Sequence, residues 1–235
     1  MKNRGKEGRD DLLFGTLKMQ DRIKEACKDM NYLLTRGFAE RSSVQLVGNR
    51  YKLNARQQQV LQGMSASQQQ IDLRLKTKVS AEDLMDKTVI IDGFNLLIIL
   101  ESALSGAYVF KGLDDCYRDI AGVHGTYKRV NQTLKVLNLV GDYLEKQNVK
   151  KVIWILDKPV SNSGRLKGIL YETASELNYN WDVILENNPD KVVAESPHIG
   201  VSSDAWVLDR LGCWYNLAGE IIESFKPTEE IVFAK

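Results

Sequence analysis

Hydrophobic positions in the first part of the chain recur at helical rather than strand spacing. Leu12, Leu13, Leu17, Ile23, Cys27, Met30, Leu33 and Leu34 predict one or two amphipathic helices, with Gly37 where the last would end. A further helix is expected from the N-cap residues Ser42 and Ser43 through Val44, Leu46 and Val47, then a turn containing Gly48, then a third helix from near Asn54. Gln57, Gln58 and Gln59, and again Gln68, Gln69 and Gln70, read as exposed helix faces, and residues 71–86 as a connecting helix or linker. The pattern changes near Lys87. Short continuous apolar runs at 88–91, 151–156, 181–185 and, more weakly, 198–202 alternate with helical stretches at 96–104 and about 126–147. A last short strand is expected over 219–222. Continuous apolar strands separated by helices indicate a parallel sheet covered on both faces. The expected architecture is therefore an α/β domain over 87–235, preceded by a small all-α domain and linker over 1–86.

With 43% hydrophobic and 27% charged residues, 235 residues suffice for one good core plus a small extra domain. No stretch approaches the roughly 18 uncharged apolar residues of a membrane helix, and the charged start lacks the apolar region of a secretion signal. A cytoplasmic protein with no membrane partner is expected. Cys27, Cys116 and Cys213 are far apart, without a CxxC pair, and His124 and His198 are the only histidines. Neither a disulfide framework nor a zinc site follows, and the cysteines read as buried small hydrophobes. The net charge of +1 hides an asymmetry: 16 basic against 11 acidic residues in 1–86, and 16 against 20 in 87–235. A basic module beside an acidic one suits a nucleic-acid grip attached to a cation site, although ordinary scatter of surface charge gives the same numbers. Residues 43–57 superficially resemble a helix-turn-helix in which Arg50, Lys52 and Arg56 would contact phosphates; a plain helical bundle predicts the same pattern.

The candidate chemistry lies in four aspartates. Loops leaving the carboxyl ends of an open parallel sheet share one crevice. Asp92 and Asp157 directly follow the last apolar residue of a strand, Asp204 follows the fourth strand, and Asp190 sits near the start of a short helix leading into it. Taken singly, each is explained as a turn or cap residue. Together they would repel one another unless a cation neutralised them, and all-oxygen donors suit Mg²⁺ or Mn²⁺. Such an ion activates water and stabilises the leaving oxygen in phosphodiester hydrolysis.

Ile90-Ile91-Asp92-Gly93-Phe94-Asn95 resembles the opening D-G-x-N motif of the NYN branch of PIN-like nucleases. Ile155-Leu156-Asp157 resembles their second acidic strand end, and Val201-Ser202-Ser203-Asp204 the motif closing the site. The similarity spans about residues 88–222, and the whole chain resembles a prokaryotic family joining a small helical domain to a PIN-like one. The resemblance implies a Rossmann-type parallel sheet flanked by helices and Mg²⁺- or Mn²⁺-dependent ribonuclease activity. Asp92, Asp157, Asp190 and Asp204 would hold the ion and Asn95 would orient a ligand or substrate oxygen, with Asp209 as a substitute or supporting acid. It also implies RNA, single-stranded or structured, as partner, with the helices gripping RNA, a partner protein or a second subunit of a homo-oligomer. The alternative is a non-catalytic RNA-binding or protein-interaction module on the same fold.

Two further segments bear on RNA. Residues 105–129 form a long irregular stretch in which Arg118, Lys128 and Arg129, with Tyr117 and Tyr127, offer charge and stacking surface, glycines allow close approach to phosphate, and Asp114, Asp115 and Asp119 are further candidate metal ligands. A surface loop whose aromatics close over the core fits equally. Ser163, Arg165 and Lys167 begin a helix beyond Asp157 and could bind a phosphate, unless Ser161 or Ser163 merely caps it. Trp154, Trp181, Trp206 and Trp214 are expected in the core.

Overall fold

Five helices precede the first strand in the computed structural model, which describes residues 6–121 and 127–235: α1 (Asp10–Phe14), α2 (Leu17–Thr35), α3 (Glu40–Arg50), α4 (Ala55–Met64) and α5 (Gln68–Thr77). Two of them start on reciprocal capping boxes, Asn54 with Gln57 and Ser67 with Gln70, each satisfying backbone N–H groups that the first turn leaves without partners. Gly37, at φ +81°, turns the chain after α2. Three expectations are corrected. Helix α3 begins at Glu40, before Ser42, and the Ser43 hydroxyl donates to the Ala39 carbonyl from inside the first turn. Gly48 lies within α3, where a Cβ would meet the Gln58 side chain at 2.7 Å, and the turn is made by Lys52 at φ 51°. Gln57 is buried, because its amide works in the capping box.

There follow β1 (Thr88–Asp92), α6 (Gly93–Leu104), β2 (Val109–Lys111), β3 (Tyr117–Arg118), α7 (Thr133–Lys146), β4 (Lys151–Asp157), α8 (Ser163–Leu177), β5 (Trp181–Glu186), α9 (Pro189–Ala194), β6 (Ile199–Val201), α10 (Ala205–Leu208), α11 (Leu217–Phe225) and β7 (Ile231–Phe233). Strands β5-β4-β1-β6 form a parallel four-stranded sheet flanked by helices, so the fold is α/β with an N-terminal helical region. The chain winds outward from β1 to β4 and β5, then returns to add β6 on the other side of β1. The strand order therefore reverses between β1 and β6, and the crevice above that point is where such sheets accept ligands.

The strand expected over 219–222 is helical. Asn216 caps α11 by accepting from the Gly219 N–H at 3.2 Å, and Leu217, Ala218, Ile221 and Ile222 fall on one buried helix face. The start of a helix near residue 126, and the glycines at 122 and 125 with His124, lie outside the described residues; α7 itself begins at Thr133. A second sheet, β3-β2-β7, was not expected from sequence: its strands run two or three residues. One hydrophobic cluster joins Phe14, Ile23, Met30, Leu61 and Met64 of the helices to Phe110 of β2, Leu113 and Val232 of β7. The N-terminal helices are thus packed on a sheet that the rest of the chain supplies. Among the described residues no helix is long and apolar enough to cross a membrane.

Candidate functional site

Because β1 pairs with β4 on one side and β6 on the other, its last residue, Asp92, emerges at the point where the strand order reverses. Helix α6 starts at once, which requires Gly93: a Cβ there would lie 2.5 Å from the Leu156 side chain and 2.9 Å from the Ile155 carbonyl. The Asp92 side chain is buried, and Ser202 Oγ donates to its Oδ2 at 2.8 Å. The same Ser202 oxygen accepts the Asp204 N–H at 3.0 Å, while Asn95 Oδ1 accepts the Ser203 N–H at 2.8 Å. These bonds tie the exit of β6 to β1 and α6. Asp204 caps α10, its Oδ1 accepting from the N–H groups of Trp206 at 2.8 Å and Val207 at 3.1 Å. Asp157 ends β4 half-buried, and Asp190 sits in the first turn of α9, where Asn188 provides the cap.

Electrostatics tie these four acids together. Burial pushes the Asp92 carboxyl up to about 7; the Ser202 hydrogen bond opposes this, and the charges of Asp190 and Asp204 add to it. Asp190, at the rim, is raised by partial desolvation and then by Asp204 and Asp157. Asp157 is raised by desolvation. Among the described residues, no three Asp, Glu, His or Cys side chains are arranged to hold a metal ion. Mg²⁺ asks for less, since it keeps several waters and is bound by one or two carboxylates. A buried carboxyl that accepts from Ser202 and feels the charges of Asp190 and Asp204 supplies the hard oxygen donors such an ion takes.

A groove of about 700 Å³ runs from Asn95, Ser203 and Asp204 toward the N-terminal helices; Asp92, Asp157 and Asp190 do not line it. Asn95, Ser203, Asp204, Trp206 and Arg210 line it on the sheet side, and Phe38, Gln59, Gln62, Gln70 and Arg74 on the helical side. The helical wall was not foreseen, because nothing in its sequence marks the glutamines as facing a cavity. Nor was Trp206, which is not a core residue but 44% exposed; its position two residues after Asp204 was the available signal.

A second charged cluster, of which Arg74, Arg118 and Asp209 line the same groove, lies beside α10. Arg74, only 1% exposed, reaches Asp114 at 2.5 Å and Asp209 at 2.6 Å, and Arg118 meets Asp114 at 2.7 Å. Burial alone would raise the Asp114 carboxyl, but Arg118 and Arg74 outweigh it and hold it well below the usual range. Gln70 donates to the other Asp209 oxygen at 2.7 Å. Asp114 and Asp209 thus serve arginines. Asp115 pairs with Lys235 at 3.1 Å, and Asp119, in the groove wall, accepts from the Ala121 N–H at 2.6 Å.

The other phosphate-binding candidates are dispersed. Arg118 lines the groove while paired with Asp114. Lys128, Arg129 and Arg165 line a separate cavity of about 350 Å³ beside Asn162. Ser163 turns inward, its hydroxyl donating to the Lys158 carbonyl at 3.4 Å, and Lys167 lies over the Tyr171 ring. Neither Ser161 nor Ser163 caps α8, whose N-cap is Asn162 at φ 72°. Arg50 pairs with Asp29 at 3.3 Å and Arg56 with Asp10 at 2.8 Å; with exposed Lys52 they stand outside the groove.

Two family models match the chain: one described as a domain of unknown function (DUF5616), over residues 81–220, and one described as a protein of unknown function (DUF434), over residues 22–77. An uncharacterised protein of Methanocaldococcus jannaschii is 31% identical over 188 residues, covering 77% of this chain and 90% of that protein. No solved structure matches.

Proposed function

The chain belongs to the DUF5616 family, and we propose that it is a Mg²⁺- or Mn²⁺-dependent ribonuclease of the PIN-like type. The observation that carries this reading is the buried Asp92 at the reversal of strand order, with the charges of Asp190 and Asp204 raising its carboxyl. Asp92 with Asp204 or Asp190 would hold the ion, which when bound supplies an activated water and offsets charge on the scissile phosphate. Ser202 fixes the Asp92 carboxylate. Asn95 spends its oxygen on Ser203, which leaves its amide N–H groups to orient a substrate oxygen. The helical wall excludes water from one side of the groove and positions the strand, which strengthens each electrostatic contact. A cytoplasmic setting, where RNA and Mg²⁺ are both at hand, accords with this reading.

Incubation of RNA with the protein and Mg²⁺ or Mn²⁺ tests it: wild type should cleave and Asp92→Asn should not. The lack of a ready three-carboxylate group among the described residues favours a second reading, an RNA-binding module without hydrolysis. Wild-type binding without cleavage in either metal would select that second reading.

A further inference from the structure

We propose that Trp206, backed by Arg210, is a stacking platform for one unpaired nucleobase of the strand bound at the Asp92–Asp204 edge. This rests on the reading of the groove as an RNA site. Trp206 is 44% exposed, whereas Trp154, Trp181 and Trp214 are 0%, 8% and 1% exposed. Exposure of one large indole in a chain that buries the other three calls for an explanation, and the surroundings supply one. The Arg210 guanidinium lies 4.1 Å from the centre of the Trp206 ring, and its Nη1 donates to the Trp206 carbonyl at 3.0 Å. The Trp206 backbone N–H is in turn held by Asp204 Oδ1. The pair is therefore preorganised, with the cation stacked against the ring and the rest of the indole open to the groove.

The occupant follows from the walls. A groove for an apolar protein segment would be lined mainly by aliphatic side chains; this one presents the exposed amides of Gln59 and Gln62 beside Trp206 and Phe38. Amides pair with the polar edges of a base, and the aromatic ring meets its face, the two kinds of contact by which unpaired bases are recognised. At about 700 Å³ the groove admits a nucleotide with its neighbours. Trp206 follows Asp204 by two residues, so a base stacked on it belongs to a nucleotide next to the phosphate at the acidic edge. A base inside a duplex is already stacked on both faces and cannot use the platform.

The test is fluorescence titration of the full chain with short oligouridine, and with a blunt RNA duplex of the same length, using Ca²⁺ in place of Mg²⁺ to keep strands intact. Oligouridine should quench the exposed indole and the duplex should not. Trp206→Ala should bind oligouridine about tenfold more weakly or worse, by the usual worth of one aromatic stack, with Trp206→Phe close to wild type and Arg210→Ala between. Unchanged affinity in Trp206→Ala, equal quenching by duplex, or no binding by wild type would each overturn the proposal. Should Trp206→Ala fail to fold, the wild-type quenching and Arg210→Ala decide. Weaker binding by Trp206→Ala with no cleavage by wild type in any metal leaves the platform standing and removes the hydrolytic reading. Wild-type cleavage with an unchanged KM in Trp206→Ala does the reverse.

Discussion

Helix α10 is four residues long and has an aspartate at each end, Asp204 as N-cap and Asp209 as C-cap. The two belong to different clusters. Asp209 shares the buried Arg74 with Asp114, and Arg118 adds a second guanidinium, so each acid of that group has a cation in the protein. Asp204 adds its charge to Asp92 and Asp190, whose carboxyls are raised first by desolvation, and no arginine or lysine is among the causes of the shifts at Asp92, Asp157 and Asp190; the Asp204 charge also reaches Arg118, without an ion pair. The same residue type, a few positions apart on one helix, is thus ion-paired at one end and held only by backbone hydrogen bonds at the other. What separates them is whether the fold brings a guanidinium into direct contact.

The sharpest break in this comparison is neutralisation on the open side. Asp92→Asn and Asp204→Asn should each lower the RNA cleavage rate by roughly a thousandfold, the worth of a few kcal/mol of lost metal stabilisation. Asn remains a good N-cap at 204, so urea unfolding of Asp204→Asn should stay near wild type. On the closed side, Arg74→Met should destabilise the fold by about 3–5 kcal/mol in the same unfolding experiment, because Asp114 and Asp209 then lose a buried partner.

A metal effect that depends on pH comes next. In the unfolded chain an aspartate releases its proton near pH 4, about three units below the folded Asp92 at about 7. The folded protein therefore holds the extra proton between those values. The stability this contributes is fully present below about pH 4 and is lost as pH rises through about 7. An added cation takes the proton's place. Saturating Mg²⁺ should raise Tm by roughly 5 °C at pH 8 and little at pH 5, and Asp92→Asn should abolish the difference. The smallest effect is expected for Asp209→Asn, at about 1–2 kcal/mol of stability with cleavage retained, since Arg74 keeps Asp114. Loss of cleavage there would erase the distinction between the two ends of α10.

The sequence made most of the central sheet legible because β1, β4 and β5 carry apolar runs bounded by turns, whereas β6, Ile199–Val201 with Gly200 inside it, gave only a weak signal. It made the second sheet illegible: two- and three-residue strands such as β3 and β7 have no measurable period, and the sheet forms because the C-terminal β7 adds to the mid-chain pair of β2 and β3. Residues 219–222 show the same limit. A short apolar run does not distinguish strand from helix until the cap at Asn216 and the buried face of α11 are known. The positions of Asp92, Asp157 and Asp204 beside strand ends could be read locally. The grouping of Asp114 and Asp209 with Arg74 could not, since those residues lie 40 and 135 positions apart.

By itself, then, the sequence determined the α/β class, the helical start and the acids at the strand exits, all of which depend on neighbouring residues and on side-chain periodicity. Only the tertiary structure decided which acids form ion pairs with the protein's own arginines and which do not, that the N-terminal helices form a wall of the groove, and that Trp206 stands in it. Those outcomes depend on distances between residues far apart in the chain, and charge, burial and exposure are set by such distances.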